Sequence, residues 1–389
     1  MPSEYIASYE RARAADPSRA RNYIVHTMIG DPVCDTMMAQ FAEVPLQEAD
    51  RFIRAAIEDP DDPALKDAPA SVQAFVEELE TVPEWVDHDA FRGGVRAFHR
   101  DSSACLAAML GGVLVEGFTT TIARSFFITG RLRDQGVRRL RQNNRHMIEL
   151  FLPGGLDVRG DGWRLSVRIR LIHAKVRHLF NTSDDWDTAA WGEPLSAAQV
   201  GFAVTAFSAR MLQHMRSLGA DYSESERDGF MAVWRYSGHL MGIPASVLYR
   251  DYDDALEVFR IGRLCEPDPG LESVALANAL VNSAPVVAGI TEPAARRKLA
   301  KYIFVVSRAL IGDEVADQLN YPPSRTLGVL AWFRMQRRYH QLMRRRFPKL
   351  SGESSFAAFS TLLEVSALQE LGIDYRLPDH VYAEQSRRW

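Results

Sequence analysis

Residues 166–180 read Ser-Val-Arg-Ile-Arg-Leu-Ile-His-Ala-Lys-Val-Arg-His-Leu-Phe. Apolar residues recur here every three or four positions, which predicts a helix with one apolar face. That face is formed by Ile169, Ile172, Val176 and Phe180. His173 falls on the same face, with Arg170 and Arg177 about one turn away on either side, whereas His178 falls on another side of the helix.

A neutral imidazole on an apolar helix face, close to guanidinium groups, is suited to holding haem. Iron needs one imidazole, the porphyrin needs an apolar slot, and its propionates need partners such as Arg170 and Arg177. The same pattern fits a core histidine that is bonded to a backbone carbonyl. From spacing alone the core histidine is the commoner interpretation, because a single histidine is not a diagnostic motif.

Helical patterns continue on both sides of this stretch. A Pro-Gly-Gly turn at 153–155 separates it from an arginine cluster: Arg131, Arg133, Arg138, Arg139, Arg141 and Arg145. Helix starts are indicated at Ser18, at Ser196 and at a Ser223-x-x-Glu226 capping box. No alternating pattern persists and no fixed repeat is visible. We therefore predict an all-α fold in a single domain, 1–389.

Composition narrows the class of protein. The chain has 389 residues, of which 47 % are hydrophobic and 25 % charged, as in soluble globular proteins. A net charge of −4 argues against a general nucleic-acid binder. Three widely spaced cysteines predict reduced thiols rather than a disulfide framework. No signal-peptide pattern is visible at the start, so we expect a cytoplasmic protein. The sequence does not indicate an oligomeric state.

Residues 104–128 form the most apolar run, interrupted by Glu116 and Arg124. Its length allows a membrane span, but glycines and threonines dilute its hydropathy, and we predict a buried central helix instead. Burial would raise the pKa of Glu116 and suit it to proton transfer. An ion pair with an arginine of the next helix is an equally good interpretation.

Residues 324–347 predict a strongly basic amphipathic helix that contains several aromatic side chains. Such a helix can make a peripheral contact with a membrane surface, although a solvated basic face is the commoner explanation.

The sequence lacks the characteristic motifs of several enzyme classes. The sequence contains no Glu-x-x-His pair, phosphate-binding glycine loop, His-Glu-x-x-His or Gly-x-Ser-x-Gly. Helical di-iron protein, nucleotide-dependent enzyme, zinc protease and serine hydrolase are therefore without support.

An ordered set of short motifs resembles the latex-clearing proteins, a family of rubber oxygenases that includes the fungal mycophenolate-pathway oxygenase. The motifs are Val-Pro-Glu-Trp-Val-Asp at 82–87, Thr-Gly-Arg-Leu at 129–132, Gly-Val-Arg-Arg-Leu-Arg-Gln at 136–142, His146, the 153–155 turn, Ile-Arg-Leu-Ile-His-Ala-Lys-Val-Arg at 169–177, and Trp-Gly-Glu-Pro-Leu at 191–195. The resemblance covers roughly residues 75–250, and its specificity lies in the order of the motifs. It implies a core at about 75–250 that is followed by a C-terminal helical extension at about 251–389.

The resemblance implies an all-helical, globin-like fold that holds a b-type haem. His173 matches the family's proximal iron ligand, and Arg139 and Asn143 match an arginine and a threonine that precede it. The chain departs from the family at two positions. Asn143 stands where the family has the threonine, and Gln142 stands where the rubber enzyme has a distal lysine. Glu116 is the acid in the helix that matches the one carrying the family's distal glutamate.

The expected function is a haem oxygenase that uses dioxygen to cleave a C=C bond of a small lipophilic, isoprenoid-like substrate. In it His173 binds the iron, Arg139, Asn143, Arg170 and Arg177 hold the cofactor, and Glu116 and Arg139 are the catalytic candidates. Two alternatives stay open: a haem enzyme of another chemistry, such as a hydroxylase or peroxidase, and a non-catalytic haem or lipid carrier.

Overall fold

The computed structural model describes residues 1–59, 61–130, 136–346, 377–382 and 385, without side chains at 136–141, 340, 341 and 344–346. The predicted all-α fold is confirmed, and no β-strand occurs in these ranges. The α-helices are α1 (Ile6–Ala15), α2 (Pro17–His26), α3 (Pro32–Phe41), α4 (Leu46–Glu58), α5 (Ala70–Glu80), α6 (Phe91–Arg100), α7 (Ser102–Ala108), α8 (Leu114–Gly117), α9 (Ile122–Ile128), α10 (Gly136–Leu150), α11 (Asp161–Asn181), α12 (Thr188–Trp191), α13 (Ala197–Thr205), α14 (Met211–Ser217), α15 (Glu224–Leu240), α16 (Tyr252–Cys265), α17 (Leu271–Val287), α18 (Pro293–Ile311), α19 (Asp313–Gln318) and α20 (Val329–Arg346).

Four shorter elements interrupt this series. Two are 3-10 turns, at Ser3–Tyr5 and Pro63–Asp67. Two are π-helical turns, Met109–Val113 between α7 and α8, and Ala206–Arg210 between α13 and α14. A π-helical turn places one extra residue in a helix, and such turns frequently occur at functional sites.

Local capping explains where several helices begin. Ser196 and Ser223 each form a complete capping box, as predicted. The expected cap at Ser18 is wrong. Asp16 accepts a hydrogen bond from the Arg19 amide, and Pro17 occupies the first helical position, so α2 begins before Ser18.

The apolar run at 104–128 is buried, as predicted, but it is not one helix. After Gly117 the hydroxyls of Thr119 and Thr120 donate to the carbonyls of Glu116 and Gly117, at 2.7 and 2.8 Å. These bonds satisfy the last carbonyls of α8 and end it. The pieces Ser102–Gly117 and Ile122–Ile128 then meet at a bend of 91°. Across the described ranges, no single helix has the length and apolarity that crossing a membrane requires.

Close helix contacts and burial assemble the core. A Cβ atom at Gly229 of α15 would lie 2.6 Å from the amide nitrogen of Gly94 in α6, so these helices can approach only because both residues are glycine.

All three cysteines are buried free thiols, which confirms the prediction that they do not form a disulfide framework. The expected division into a core and a C-terminal extension stays a prediction.

A second hydrophobic cluster lies apart from the main core. It contains Ile172, Val176 and Phe180 of α11, packed with Trp186, Leu195 and Val381. Three of the four residues of the predicted apolar face therefore pack into this separate cluster, whereas Ile169 is only half-buried and lies outside it. The contact of α11 with the main core, which the sequence did not predict, is made by Trp163, Val167, Leu171 and Ala174.

Candidate functional site

The candidate site lies along α10 and α11, which are joined by the predicted Pro-Gly-Gly turn. Gly154 has φ +75°, a conformation that glycine adopts without strain. The amide of Trp163 donates to the Gly155 carbonyl at 2.9 Å, which fixes the start of α11 against the turn. The backbone of Glu149 lies next to Gly162, and one turn further from the connection His146 lies next to Ser166. The two helices therefore run antiparallel.

A buried polar network connects these two helices to α15. Nε2 of His146 lies 3.0 Å from Oγ of Ser166, which lies 3.0 Å from Oγ of Ser237. The Ser166 hydroxyl donates its single hydrogen to the Gly162 carbonyl at 2.9 Å, so its oxygen accepts a hydrogen bond from the Nε2–H of His146. Burial lowers the pKa of His146 to about 3, which keeps the ring neutral. The network fixes the register of α10 against α11.

His173 lies two turns beyond Ser166 on the same side of α11. The residue is half-buried, and its Nδ1 atom is shielded from solvent. Val176 and Phe180, one and two turns further on, lead from this side into the second hydrophobic cluster. The imidazole therefore stands at the edge of an apolar region, as the sequence predicts.

Arg170 has a structural function. Its Nε and Nη2 donate to Asp31, the N-cap residue of α3, at 2.5 and 3.0 Å, and Nη2 also donates to Glu78 at 3.0 Å. Burial opposes the charge on the guanidinium, but its bonds to Asp31 raise the pKa of Arg170 well above its usual range. Both carboxylates come from the chain itself. This arrangement gives no support to the expectation that Arg170 binds cofactor carboxylates.

Arg177 is only partly satisfied by the chain. Its Nε donates to Asp35 at 2.8 Å, and Nη1 donates to the Leu195 carbonyl at 3.0 Å. Among the described residues, Nη2 of Arg177 is buried and has no hydrogen-bond partner. A buried guanidinium donor without a partner is costly, and a carboxylate ligand one turn from His173 would satisfy it.

Two further predicted residues lie on α10. Asn143 is half-buried and Gln142 is buried. Arg139 lies within α10, but its side chain falls outside the described residues. Its roles in cofactor binding and catalysis stay predictions.

Glu116 lies in a separate cluster. Nε of Arg210 donates to both carboxylate oxygens at 3.0 Å, and Nη2 donates to Oε1 at 2.7 Å. Nε2 of His214 lies 3.0 Å from Oε2. The carboxylate is 1 % exposed. We refer to Glu116, Arg210 and His214 as the acid–base triad.

The expected pKa shift of Glu116 is wrong in direction. Burial alone raises the pKa, but the charges and hydrogen bonds of His214 and Arg210 outweigh burial and lower it to about 2. A carboxylate that is ionised so strongly is a poor proton carrier near neutral pH. The alternative of an ion pair with an arginine is confirmed, although Arg210 lies 94 residues away in sequence rather than in the next helix.

Both π-helical turns contribute to the acid–base triad. Met109–Val113 immediately precedes the helix that carries Glu116, and Ala206–Arg210 ends on the arginine. A Cβ atom at Gly112 would lie 2.5 Å from Cδ2 of His214, so the ring packs directly on this glycine. Sequence reasoning missed Arg210 and His214. Their spacing of four residues in an otherwise apolar helix was the available signal.

Adding a methyl group at Gly112 should destabilise the protein. Gly112→Ala forces His214 away from Glu116, and we expect a loss of roughly 1–3 kcal/mol in the free energy of unfolding, measured by denaturant titration. Gly117→Ala is the matched control, because a Cβ atom there meets nothing within 4 Å. An equal effect of the two substitutions would contradict the close packing at Gly112.

The fold and the site together define a class: an all-helical protein with a half-buried candidate histidine, His173, on a long helix. Residues 96–345 match the family described as "ER-bound oxygenase mpaB/B'/Rubber oxygenase, catalytic domain". Because this match covers more than half of the chain, the chain belongs to that family of oxygenases.

Two known proteins are similar to the chain. The rubber oxygenase of Streptomyces sp. (strain K30) is 22 % identical over 262 residues, which is 64 % of this chain and only 60 % of the length of that relative. The closed state of latex clearing protein superimposes with a TM-score of 0.62 at 19 % identity, covering 87 % of this chain and 89 % of the other. At this identity the superposition establishes the fold.

Proposed function

We propose that this chain is a b-type haem-dependent oxygenase that uses dioxygen to cleave a C=C bond in a lipophilic, isoprenoid-like substrate. The observation that carries the proposal is on α11. A half-buried imidazole, His173, stands beside an apolar cluster, and one turn away a guanidinium nitrogen of Arg177 has no hydrogen-bond partner in the part of the chain that the structure describes. Membership of the oxygenase family supports it.

The side chains present fit a haem. One imidazole is the protein ligand that haem iron needs, and an apolar neighbourhood suits the macrocycle. Nη2 of Arg177, which has no partner within the described ranges, is a donor for a propionate carboxylate. Arg170 is left out of the proposed haem site, because Asp31 and Glu78 already occupy its donors.

Helix register relates Arg139 to His173. Ser166 of α11 lies opposite His146 of α10. Seven residues, about two turns, forward along α11 lead to His173, and seven residues back along α10 lead to position 139. Since the two helices are antiparallel, we infer that positions 139 and 173 occupy facing sides of the hairpin, on either side of the proposed haem site.

The residues of the chain would then divide the work. His173 would ligate the iron, and Arg177 and Arg139 would hold the carboxylates of the cofactor. The Ile172–Val176–Phe180 face, which is packed in the second hydrophobic cluster, would exclude water beside the bound apolar substrate. When bound, haem supplies the iron that activates dioxygen. Both oxygen atoms end on the two carbons of the cleaved bond, one in each carbonyl product. Glu116 is not needed as a proton carrier in this scheme.

The visible spectrum and product analysis test the proposal. Protein purified after supplementation with haemin should show a Soret band, and a short polyisoprene or farnesyl compound should stimulate oxygen uptake. Labelled dioxygen should give two carbonyl fragments with one labelled oxygen each. A single labelled hydroxyl would indicate hydroxylation, and turnover only with peroxide would indicate a peroxidase. Haem binding without any turnover would indicate a non-catalytic haem or lipid carrier.

Arg139 should matter for haem retention. Arg139→Ala should weaken haem binding on the order of tenfold, and Arg139→Lys should restore it poorly because the fork geometry of the guanidinium is lost. Haem stoichiometry after gel filtration measures the effect. Arg145→Ala is the control on the same helix, since Arg145 pairs with Glu149. Equal haem content in all four proteins would defeat the proposed role.

A further inference from the structure

Helix α20 combines strong basicity with a complete lack of acidic residues. No aspartate or glutamate occurs between Asp317 and Glu353, in a protein whose net charge is −4. Within α20 the cations are Arg334, Arg337, Arg338, Arg344, Arg345 and Arg346. The local charge is therefore opposite in sign to that of the whole protein.

One side of α20 packs against the body of the protein. The ring of Phe333 lies 6.4 Å from that of Tyr302 in α18, and Leu330 packs on the main core. Arg337 forms an ion pair with the buried carboxylate of Asp101. A Cβ atom at Gly219 would lie 3.0 Å from Cα of Arg334, so the helix backbone passes directly over this glycine. These contacts fix the rotation of α20 about its axis.

The outer side of α20 carries an apolar stripe. Trp332, Met335 and Leu342 are 58 %, 56 % and 65 % exposed, and their spacing of three and seven residues places them on one face. Leu327, just before the helix, is 99 % exposed. Large apolar side chains grouped in this way are uncommon on soluble surfaces and mark interaction sites.

Cationic side chains border this stripe. Arg334 and Arg338 are exposed on α20, and Lys298 and Lys301 are exposed on α18, next to the exposed Tyr302. An apolar stripe with bordering cations matches the interface of an anionic bilayer. There, apolar side chains enter the acyl region while guanidinium and ammonium groups meet phosphate.

We propose that α20, with the adjacent face of α18, docks the protein peripherally on an anionic lipid surface. The stripe formed by Trp332, Met335 and Leu342 inserts at the interface, and Arg334 and Arg338 contact the headgroups. Charge complementarity favours lipid over a second copy of this chain, since two α20 surfaces of the same positive charge repel each other. The inference is independent of the proposed oxygenase function, and its test needs no haem.

Vesicle flotation tests the docking surface. The full chain should float with vesicles that contain phosphatidylserine and not with pure phosphatidylcholine, and salt should weaken the binding. The double variant Trp332→Ser with Leu342→Ser should lower the partition coefficient at least roughly tenfold, as should Arg334→Glu with Arg338→Glu. Leu271→Ser is the control, because Leu271 is 83 % exposed at the start of α17.

Circular dichroism should show unchanged helix content in each variant, because every substituted side chain is exposed. A full chain that stays in the soluble fraction with both vesicle types overturns the proposal. Equal binding to neutral vesicles, or normal binding by the Trp332 and Leu342 double variant, also overturns it. So does a dimer that depends on Trp332 and forms without any vesicle binding.

Discussion

Replacing His173 by alanine should abolish the Soret band of protein purified in the presence of haemin. Under the proposed function this imidazole is the sole protein ligand on its side of the iron, so the variant leaves an apolar slot without an anchor. We expect haem binding to fall at least roughly a hundredfold and oxygen uptake to vanish. Added imidazole should restore part of the Soret band, because it can enter the space that the side chain leaves.

His178 provides the internal control for this experiment. It lies five residues further along α11 and therefore on another side of the helix, where burial and the nearby Lys175 lower its pKa. His178→Ala should keep its haem. Loss of haem in His178→Ala with retention in His173→Ala would show that the wrong face of α11 was assigned. Thermal unfolding of both variants without haem separates cofactor loss from misfolding.

Glu116→Gln should destabilise the fold while leaving haem binding in place. The substitution removes the charge that compensates Arg210 and His214, both of which face the buried carboxylate. Removing one partner of a buried ion pair is strongly destabilising, because the other charge is left buried without compensation. The lowering of the pKa of Glu116 from 4.5 to about 2 corresponds to a contribution on the order of 3 kcal/mol. Denaturant titration near neutral pH measures this loss.

The same pKa shift determines the pH dependence. Glu116 has a folded-state pKa below its unfolded value, so its contribution to stability is complete above about 4.5 and is lost as the pH falls towards about 2. The stability difference between the parent protein and Glu116→Gln should therefore shrink across this window.

An exposed ion pair provides the control for Glu116. Glu257 pairs with Arg260 on the surface of α16, and Glu257→Gln should change the free energy of unfolding by less than about 1 kcal/mol. If Glu116→Gln abolishes oxygen uptake and leaves stability unchanged, Glu116 acts in proton transfer and the structural assignment of the acid–base triad fails.

Much of the helical architecture could be predicted from local sequence. The period of apolar residues predicted α11, and the serine of each capping box predicted the starts of α13 and α15. These features depend on side chains within one or two turns, which the sequence displays directly. Ser18 failed as a cap because Asp16 with Pro17 forms a stronger start two residues earlier.

The site was only partly predictable. The sequence identified His173 and its flanking arginines but treated Arg170 and Arg177 alike. The structure separates them, because Asp31 and Glu78 occupy Arg170 while Nη2 of Arg177 is left without a partner among the described residues. Asp31 lies 139 positions from Arg170, and no local pattern reveals such a partner.

The amino-acid sequence was enough to predict the all-α class, the helix that carries His173, the resemblance to an oxygenase family and the basic, acid-free segment that includes α20. The structure was needed to reveal the bend in the 104–128 run, the two π-helical turns and the charge state of Glu116. Apolar periodicity and helix capping involve residues that are close in sequence, so they can be recognised without the tertiary structure. A buried carboxylate is different, because the sign of its pKa shift depends on which distant cations the fold brings to it.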